Sequence, residues 1–261
     1  MRFCRYILRT TDPDGAQVFY SRLLGWQVQR QSVGGLFFVN PSDGDNPQPV
    51  AELGVLPERA RALGAPPHWL GVIAVPDLST YTQRLIQLGA EQRGPVQGQS
   101  QAGRDLVVLR DPQGAPLGLC SSGADPCEPS SAVAWHQLVV PDPDQAWSQY
   151  ASLFGWQSVS IGDGGPDFGA LRIFAQQPGD APSGGIISNA RTPQVHTQWL
   201  YGLRVFDFDK AKDRVRALGG RVAAEPRAVP GSSCFAVCED AQGAAFALSE
   251  DPSASPRFVE G

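Results

Sequence analysis

An α+β fold made by tandem duplication is predicted for this 261-residue chain, and three observations predict it. The first is a repeat held in register. Asp12 and Trp26 recur 130 residues later as Asp142 and Trp156, Trp69-Leu70 as Trp199-Leu200, Asp77 as Asp207 and Gly89 as Gly219. Asp111-Pro-Gln-Gly-Ala returns as Asp240-Ala-Gln-Gly-Ala at an offset of 129. Register kept over so many landmarks marks a duplication. The second observation is a fainter repeat inside each half. An apolar run ending at Asp12 leads to a helix-like stretch closed by Leu24-Gly25, and another ending at Asp77 leads to one closed by Leu88-Gly89. The third is size: a unit of about 130 residues can bury its own core, and the chain is 42% hydrophobic.

In chain order, Arg5-Tyr-Ile-Leu-Arg-Thr alternates as a strand. Asp12 is placed to cap the next helix, with Pro13 at the favoured first position and Gly25 as its left-handed stop. Leu70 to Val75 forms the next strand, and Asp77 caps a helix through Tyr81, Leu85 and Leu88. Leu106-Val-Val-Leu is a strand running into the Asp111 turn. The breaker-rich segment from Ser121 to Ser131 has no periodicity and serves as a linker. The second half repeats this grammar at Asp142 to Gly155, at Asp207 to Gly219 and at Phe235-Ala-Val. The expected domains are 1–121 (modules about 1–55 and 66–121) and 132–261 (modules about 132–188 and 197–250), joined by 122–131. Each module is a strand, a helix and then several short strands.

Composition excludes several classes. No apolar run approaches the roughly 18 residues that would span a bilayer, so no membrane partner is expected. The net charge of −5 has no basic block, which argues against nucleic acid. The strand-like start has neither a signal-peptide apolar region nor a cleavage site. Five cysteines without a C-x-x-C pair suit reduced core thiols in a cytoplasmic protein; the partner expected is a small molecule, and the chain is expected to be a monomer or homodimer.

The motifs D-P-x-x-A-x-x-x-Y-x-x-L-x-G-W in the odd modules, with W-L-x-x-x-x-V-x-D and D-x-Q-G-A in the even ones, resemble the vicinal oxygen chelate superfamily. That superfamily includes glyoxalase I, bleomycin-resistance proteins and extradiol dioxygenases, and the chain looks most like its tandem two-domain branch. The resemblance implies four βαβββ modules in two curved mixed sheets, each a cup with its helices outside. It also implies metal ligands on the first strand of a module, seven residues before the capping Asp, and on the last strand. Those first-strand positions hold Arg5, Leu70, Trp135 and Leu200. On the closing strands Glu52 matches, whereas Gly118 and Ala247 stand where a carboxylate would be wanted. One carboxylate is not a divalent-cation site, so neither metal nor other cofactor is expected. Of the three histidines, His136 points to the face opposite Trp135 and Gln137, and His68 and His196 are taken as surface residues.

Strand alternation from the ligand positions gives the cup linings: Arg5, Ile7 and Arg9; Leu70, Val72 and Ala74; Trp135, Gln137 and Val139; Leu200, Gly202 and Arg204. With Glu52 this is an apolar cavity with a few polar groups, the usual make-up of a small-molecule site. Arg5 is expected to face Glu52, either as a structural ion pair or to hold an oxyanion with Glu52 as base. Trp69 and Trp199 belong to the core, and Cys234 and Cys238 pack. Gly162 to Gly169 contains Pro166 and precedes a strand, so it is a hairpin or cup lid and not a phosphate loop. No G-x-S-x-G elbow is present. The favoured function is metal-independent binding of an aromatic or polycyclic small molecule. The alternative is an enzyme, either a cofactor-free isomerase, lyase or cyclase using Arg5 and Glu52, or a divergent metal-dependent lyase or dioxygenase.

Overall fold

The residues that the repeat preserves are those that start and stop its helices. In the computed structural model, which describes residues 1–30, 35–41, 48–94, 105–122, 130–223, 226–230 and 232–250, Asp12 accepts from the Gly15 N–H at 2.9 Å. Asp77, Asp142 and Asp207 accept in the same way from Thr80, Gln145 and Lys210 at 2.8, 2.9 and 3.0 Å. Each bond satisfies one of the orphan N–H groups of a first turn. Gly25 and Gly155 end their helices with φ of 75° and 74°, the left-handed conformation that glycine adopts without strain.

The first half runs β1 (Phe3–Thr10), α1 (Pro13–Leu24), β2 (Gln27–Arg30), β3 (Leu36–Val39), β4 (Pro49–Val55), the short α2 (Glu58–Ala62), β5 (His68–Val75), α3 (Leu78–Gln87), β6 (Glu91–Gln92), β7 (Leu106–Arg110) and β8 (Pro116–Ser121). The second runs β9 (Val133–Val140), α4 (Pro143–Phe154), β10 (Gln157–Asp163), β11 (Ala170–Ala175), β12 (Gly184–Ser188), β13 (Gln198–Val205), α5 (Phe208–Ala217), β14 (Arg221–Val222), β15 (Arg227–Val229), β16 (Ser232–Glu239) and β17 (Ala245–Glu250). The first sheet has the order β2-β3-β4-β1-β5-β8-β7-β6, and the second β10-β11-β12-β9-β13-β17-β16-β14, with β15 beside β16. Both are open and mixed. Within a module the first and last strands pair in parallel, and two modules join through antiparallel first strands, β1 to β5 and β9 to β13. The α+β architecture of four βαβββ modules is therefore as expected. The linker at 122–131 and the loop at 40–49 lie largely outside the described residues. No described helix is long and apolar enough to cross a membrane.

Both central strands carry a bulge at equivalent places. Phe3 and Arg5 oppose Ile73 and Val72, leaving Cys4 extra, and Val133 and Trp135 oppose Leu203 and Gly202, leaving Ala134 extra. The bulge sends Phe3 to the helix face and Cys4 to the cup face, as their separate apolar clusters show.

One large core takes the helix-covered faces of both sheets together. At its centre, residues touch their own repeat copies. The Tyr6 hydroxyl lies 2.7 Å from His136 Nε2, and the Gly71 N–H donates to the Tyr201 hydroxyl at 2.7 Å. A Cβ at Gly71 would collide with the Tyr201 ring, so the glycine makes this approach possible. Contacts between position i and its copy are what an isologous two-fold interface produces. The Asp-x-Gln-Gly turns clasp the halves reciprocally. Asp111 accepts from Tyr150 and Asp240 from Tyr20, both at 3.0 Å, while Trp199 and Trp69 donate to those tyrosines at 3.1 and 2.9 Å. Gln113 also grips the backbone of Asp142, at 2.6 and 2.7 Å.

Candidate ligand-binding site

The cup faces, which carry no helix, form two small buried apolar clusters apart from the common core. In the first cup the lining is Cys4, Ile7, Leu70, Val72, Leu106 and Cys120, flanked by Ala74 and Val108. In the second it is chiefly Trp135, Val139, Leu171, Ile173, Leu200 and Phe235, with Phe168 against them. Alternation thus places Ile7, Leu70, Val72, Trp135 and Leu200 where the sequence predicts.

The polar end of the first cup differs from expectation. Parallel pairing sets Glu52 opposite Ile7 and Gly54 opposite Arg9. A side chain at 54 would collide with the Arg9 guanidinium, so glycine lets Arg9 lie over β4 and reach Glu52. The ion pair of Glu52 is therefore with Arg9, at 3.7 Å, where Arg5 was expected. Glu52 is 1% exposed and the Arg9 side chain 19%; the second carboxylate oxygen, Oε2, is buried without a hydrogen bond. Arg5 is half-buried, opposite Val72, and close enough for its charge to act on Arg9. Burial pushes the Arg9 pKa down from its ordinary value, Glu52 pushes it back up, and Arg5 lowers it further.

His68, half-buried, stands at this end as well. It opens β5, two residues before Leu70, and stands opposite Arg9. Its Nδ1 lies 2.8 Å from the Pro66 carbonyl oxygen, an acceptor only, so Nδ1 carries the proton and Nε2 the lone pair. Burial holds its pKa below the ordinary value, with the Pro66 bond opposing and the Arg9 charge assisting. A neutral imidazole, a guanidinium and a buried carboxylate thus meet at one end of an apolar cup. Such a set can hold an organic anion and move a proton at a carbon beside it.

The second cup is filled and strapped. Gln137, 0% exposed, accepts from Trp135 Nε1 at 3.2 Å and donates to the Gly185 carbonyl at 3.0 Å. Gly185, at the register position of Glu52, brings no carboxylate, and a Cβ there would run into Leu171 and Trp135. Arg227 on β15 crosses the mouth. It donates to the Gly164 carbonyl at 3.1 Å and to Gln137 at 3.3 Å, and lies against the faces of Phe168 and Phe235. The 162–169 segment is the β10–β11 hairpin, closed by Gly164 N–H to Gly169 O at 2.7 Å, and it anchors this strap. Arg204 donates from Nε to the Ser131 carbonyl at 3.0 Å. His136 lies in the common core, its Nδ1 2.8 Å from the Ser183 carbonyl, and burial lowers its pKa to about 4. His196 is exposed.

Residues 5–120 match the family model of a glyoxalase-like domain, and residues 132–248 that of the glyoxalase/bleomycin resistance protein/dioxygenase superfamily. Over 249 residues, 92% of this chain and 91% of the relative, the sequence is 31% identical to "Putative glyoxylase CFP32" of Mycobacterium tuberculosis, and equally to that of Mycobacterium bovis. The chain belongs to this vicinal oxygen chelate superfamily. Among solved structures, the 2,3-dioxygenase LapB from Pseudomonas sp. KL28 superposes with a TM-score of 0.61 at 13% identity, covering 98% of this chain and 95% of that one. The Mn(II)-bound glyoxalase from Novosphingobium aromaticivorans gives 0.61 at 13% identity, covering 95% and 81%. At such identity the likeness is one of fold.

The superfamily's metal can be tested against the donors present. The positions that would hold it in the first cup carry a guanidinium, Arg5, the aliphatic Leu70, the ion-paired Glu52 and Gly118. A Cβ at Gly118 would stand 2.9 Å from Val72 and 3.3 Å from Leu106, so the place of a second carboxylate is taken by aliphatic packing. In the second cup Trp135, Leu200, Gly185 and Ala247 offer no donor. Among the described residues no three His, Cys, Asp or Glu side chains are grouped as a cation would need. The residues do not fit the superfamily's metal centre.

Proposed function

We propose that the first cup binds a small molecule with a rigid aromatic or polycyclic body and an anionic or enolisable end, without a divalent metal at Glu52. One observation carries this: Arg9, beside Arg5, engages the buried Glu52 where the superfamily places a ligating carboxylate. A guanidinium is a permanent charge with planar donors, able to take over the electrostatic part of a metal's work on a carboxylate or enolate. The walls supplied by Ile7, Leu70 and Val72 are apolar, as the body of such a ligand requires. Calorimetric titration tests this with phenylpyruvate and its methyl ester as probes. The anion is expected to bind in the presence of EDTA and the ester at least tenfold more weakly, with Arg9→Met removing that preference. Binding that requires Mn(II) or Ni(II), or an ester that binds as well as the anion, would refute it.

A second reading, catalysis, is favoured by His68, whose unprotonated Nε2 shares this end of the cup with Arg9. Under it His68 takes a proton from the carbon beside the bound anion. Exchange of the phenylpyruvate C3 hydrogens into deuterated water, followed by NMR, should then be faster with the protein than without and lost in His68→Asn. Equal rates in the parent and the variant exclude it.

A further inference from the structure

Two thiols converge at the other end of the first cup. Cys4, pushed onto the cup face by the β1 bulge, and Cys120 on β8 are both buried, and their sulfurs lie 3.9 Å apart. Strand β5 runs between them, where Ala74 stands opposite Cys120. The two are not joined as a disulfide. The second half replaces both at once: Ala134 takes the bulge position and Ser249 the position of Cys120.

We propose that Cys4 and Cys120 form a binding site for a soft, thiophilic d10 cation of the Cu(I) class. Two metal–thiolate bonds of about 2.3 Å spanning this separation close at roughly 115°, the bite of a three-coordinate ion. Thiolates select Cu(I) over harder ions, and the apolar lining of Ile7, Leu70 and Val72 excludes competing water. Each thiol gives up its proton on ligation, so Cu⁺ and two S–H groups yield a monoanionic dithiolate and two released protons. Arg5, the chain neighbour of Cys4 on the cup face, supplies a compensating charge. The third ligand would be a small exogenous donor. This site is separate from the polar end, since Arg9 lies five residues further along β1, roughly 16 Å away.

The test uses the reduced full-length chain carrying Cys127→Ser, Cys234→Ser and Cys238→Ser, titrated anaerobically with Cu(I) against a colorimetric chelator. One Cu(I) per chain is expected, and Cys4→Ala or Cys120→Ala should each weaken it at least 100-fold. X-ray absorption on the loaded triple variant needs no change at the pair and should count two sulfur neighbours. Fewer than two sulfurs, or a loss below tenfold in either alanine variant, overturns the proposal.

Discussion

Arg9→Met should destabilise the protein by removing the partner of a carboxylate that has no other charge-assisted bond in the described structure. Glu52 is 1% exposed and its ion pair spans 3.7 Å. Two unit charges at that separation attract by roughly 4–5 kcal/mol at an effective dielectric constant of about 20. Much of that is offset in the native pair by desolvation, but stranding one partner typically costs about 3–5 kcal/mol. The 19% exposure of the Arg9 side chain lets water reach this end once it is removed, which reduces the expectation to about 2–4 kcal/mol. Replacing both residues, as Arg9→Met with Glu52→Leu, removes the desolvation cost together with the attraction and should return stability to within about 1 kcal/mol of the parent. Urea denaturation at pH 7 of the parent, both single variants and the double variant reads the coupling directly, provided the m-value is constant. Strict additivity of the two single effects, or an Arg9→Met variant within about 0.5 kcal/mol of the parent, would refute the assignment. The same variants separate stability from function. If the cup binds an anion through its guanidinium groups, the double variant recovers its fold and not its ligand, and Arg5→Met alone weakens binding.

Other consequences are independent of the ligand. Tyr20→Phe leaves the Trp69 N–H and the Asp240 carboxylate each one bond short and should cost about 1–3 kcal/mol by denaturation; Tyr150→Phe should match it within about 1 kcal/mol, and a large disparity would contradict the reciprocal clasp. His136, depressed from 6.5 to about 4 in the fold, contributes stability that is fully present above pH 6.5 and is lost as the pH falls through 4. That loss amounts to about 3 kcal/mol, and His136→Asn should flatten the stability–pH profile by this much between pH 6.5 and 4. The raised pKa values of Asp111 and Asp240 act in the opposite sense but are common to both proteins; parallel profiles would exclude the linkage. Gly118→Glu should lower the melting temperature through collision with Val72 and Leu106, and elemental analysis should find no Mn, Ni or Fe recruited by it. A folded, metal-loaded variant would show that the cup retains room for the missing ligand.

The sequence makes the architecture legible because the capping aspartates and stop glycines are local signals repeated four times. Strand parity likewise places Ile7, Leu70 and Trp135 in the cups, since a period of two leaves only two faces to choose between. What parity cannot supply is reach across strands. Counting from Asp12 puts Arg5 at the metal position, but it is Gly54 on another strand that lets Arg9 fold over to Glu52. His68 shares the parity of Leu70 and was accessible to the same argument. Its position directly after Pro66-Pro67 resembles a loop, which hides that the strand begins on the histidine itself. Arg227 left no local trace, because its partners Gln137 and Gly164 are 90 and 63 residues away. The turn motif at Asp111 and Asp240 was visible as a repeat, whereas the fact that each turn grips the opposite half is a property of packing alone.

The contact between Gly71 and Tyr201 has a consequence for which halves can pair. Had both copies kept the same residue, either half could associate with another of its own kind. Here one copy is a socket and the other a plug. Two first halves would meet glycine to glycine, with Tyr6 facing Tyr6 and a hole left between them. Two second halves would force one tyrosine ring into another. Each like pairing carries its own defect, void or collision, while the unlike pairing fills the space and completes the hydrogen bond. Divergence of a single residue from its copy has thus turned a symmetric junction into a polarised one. Separately produced halves, mixed in solution, would be expected to sort themselves into the heterodimer.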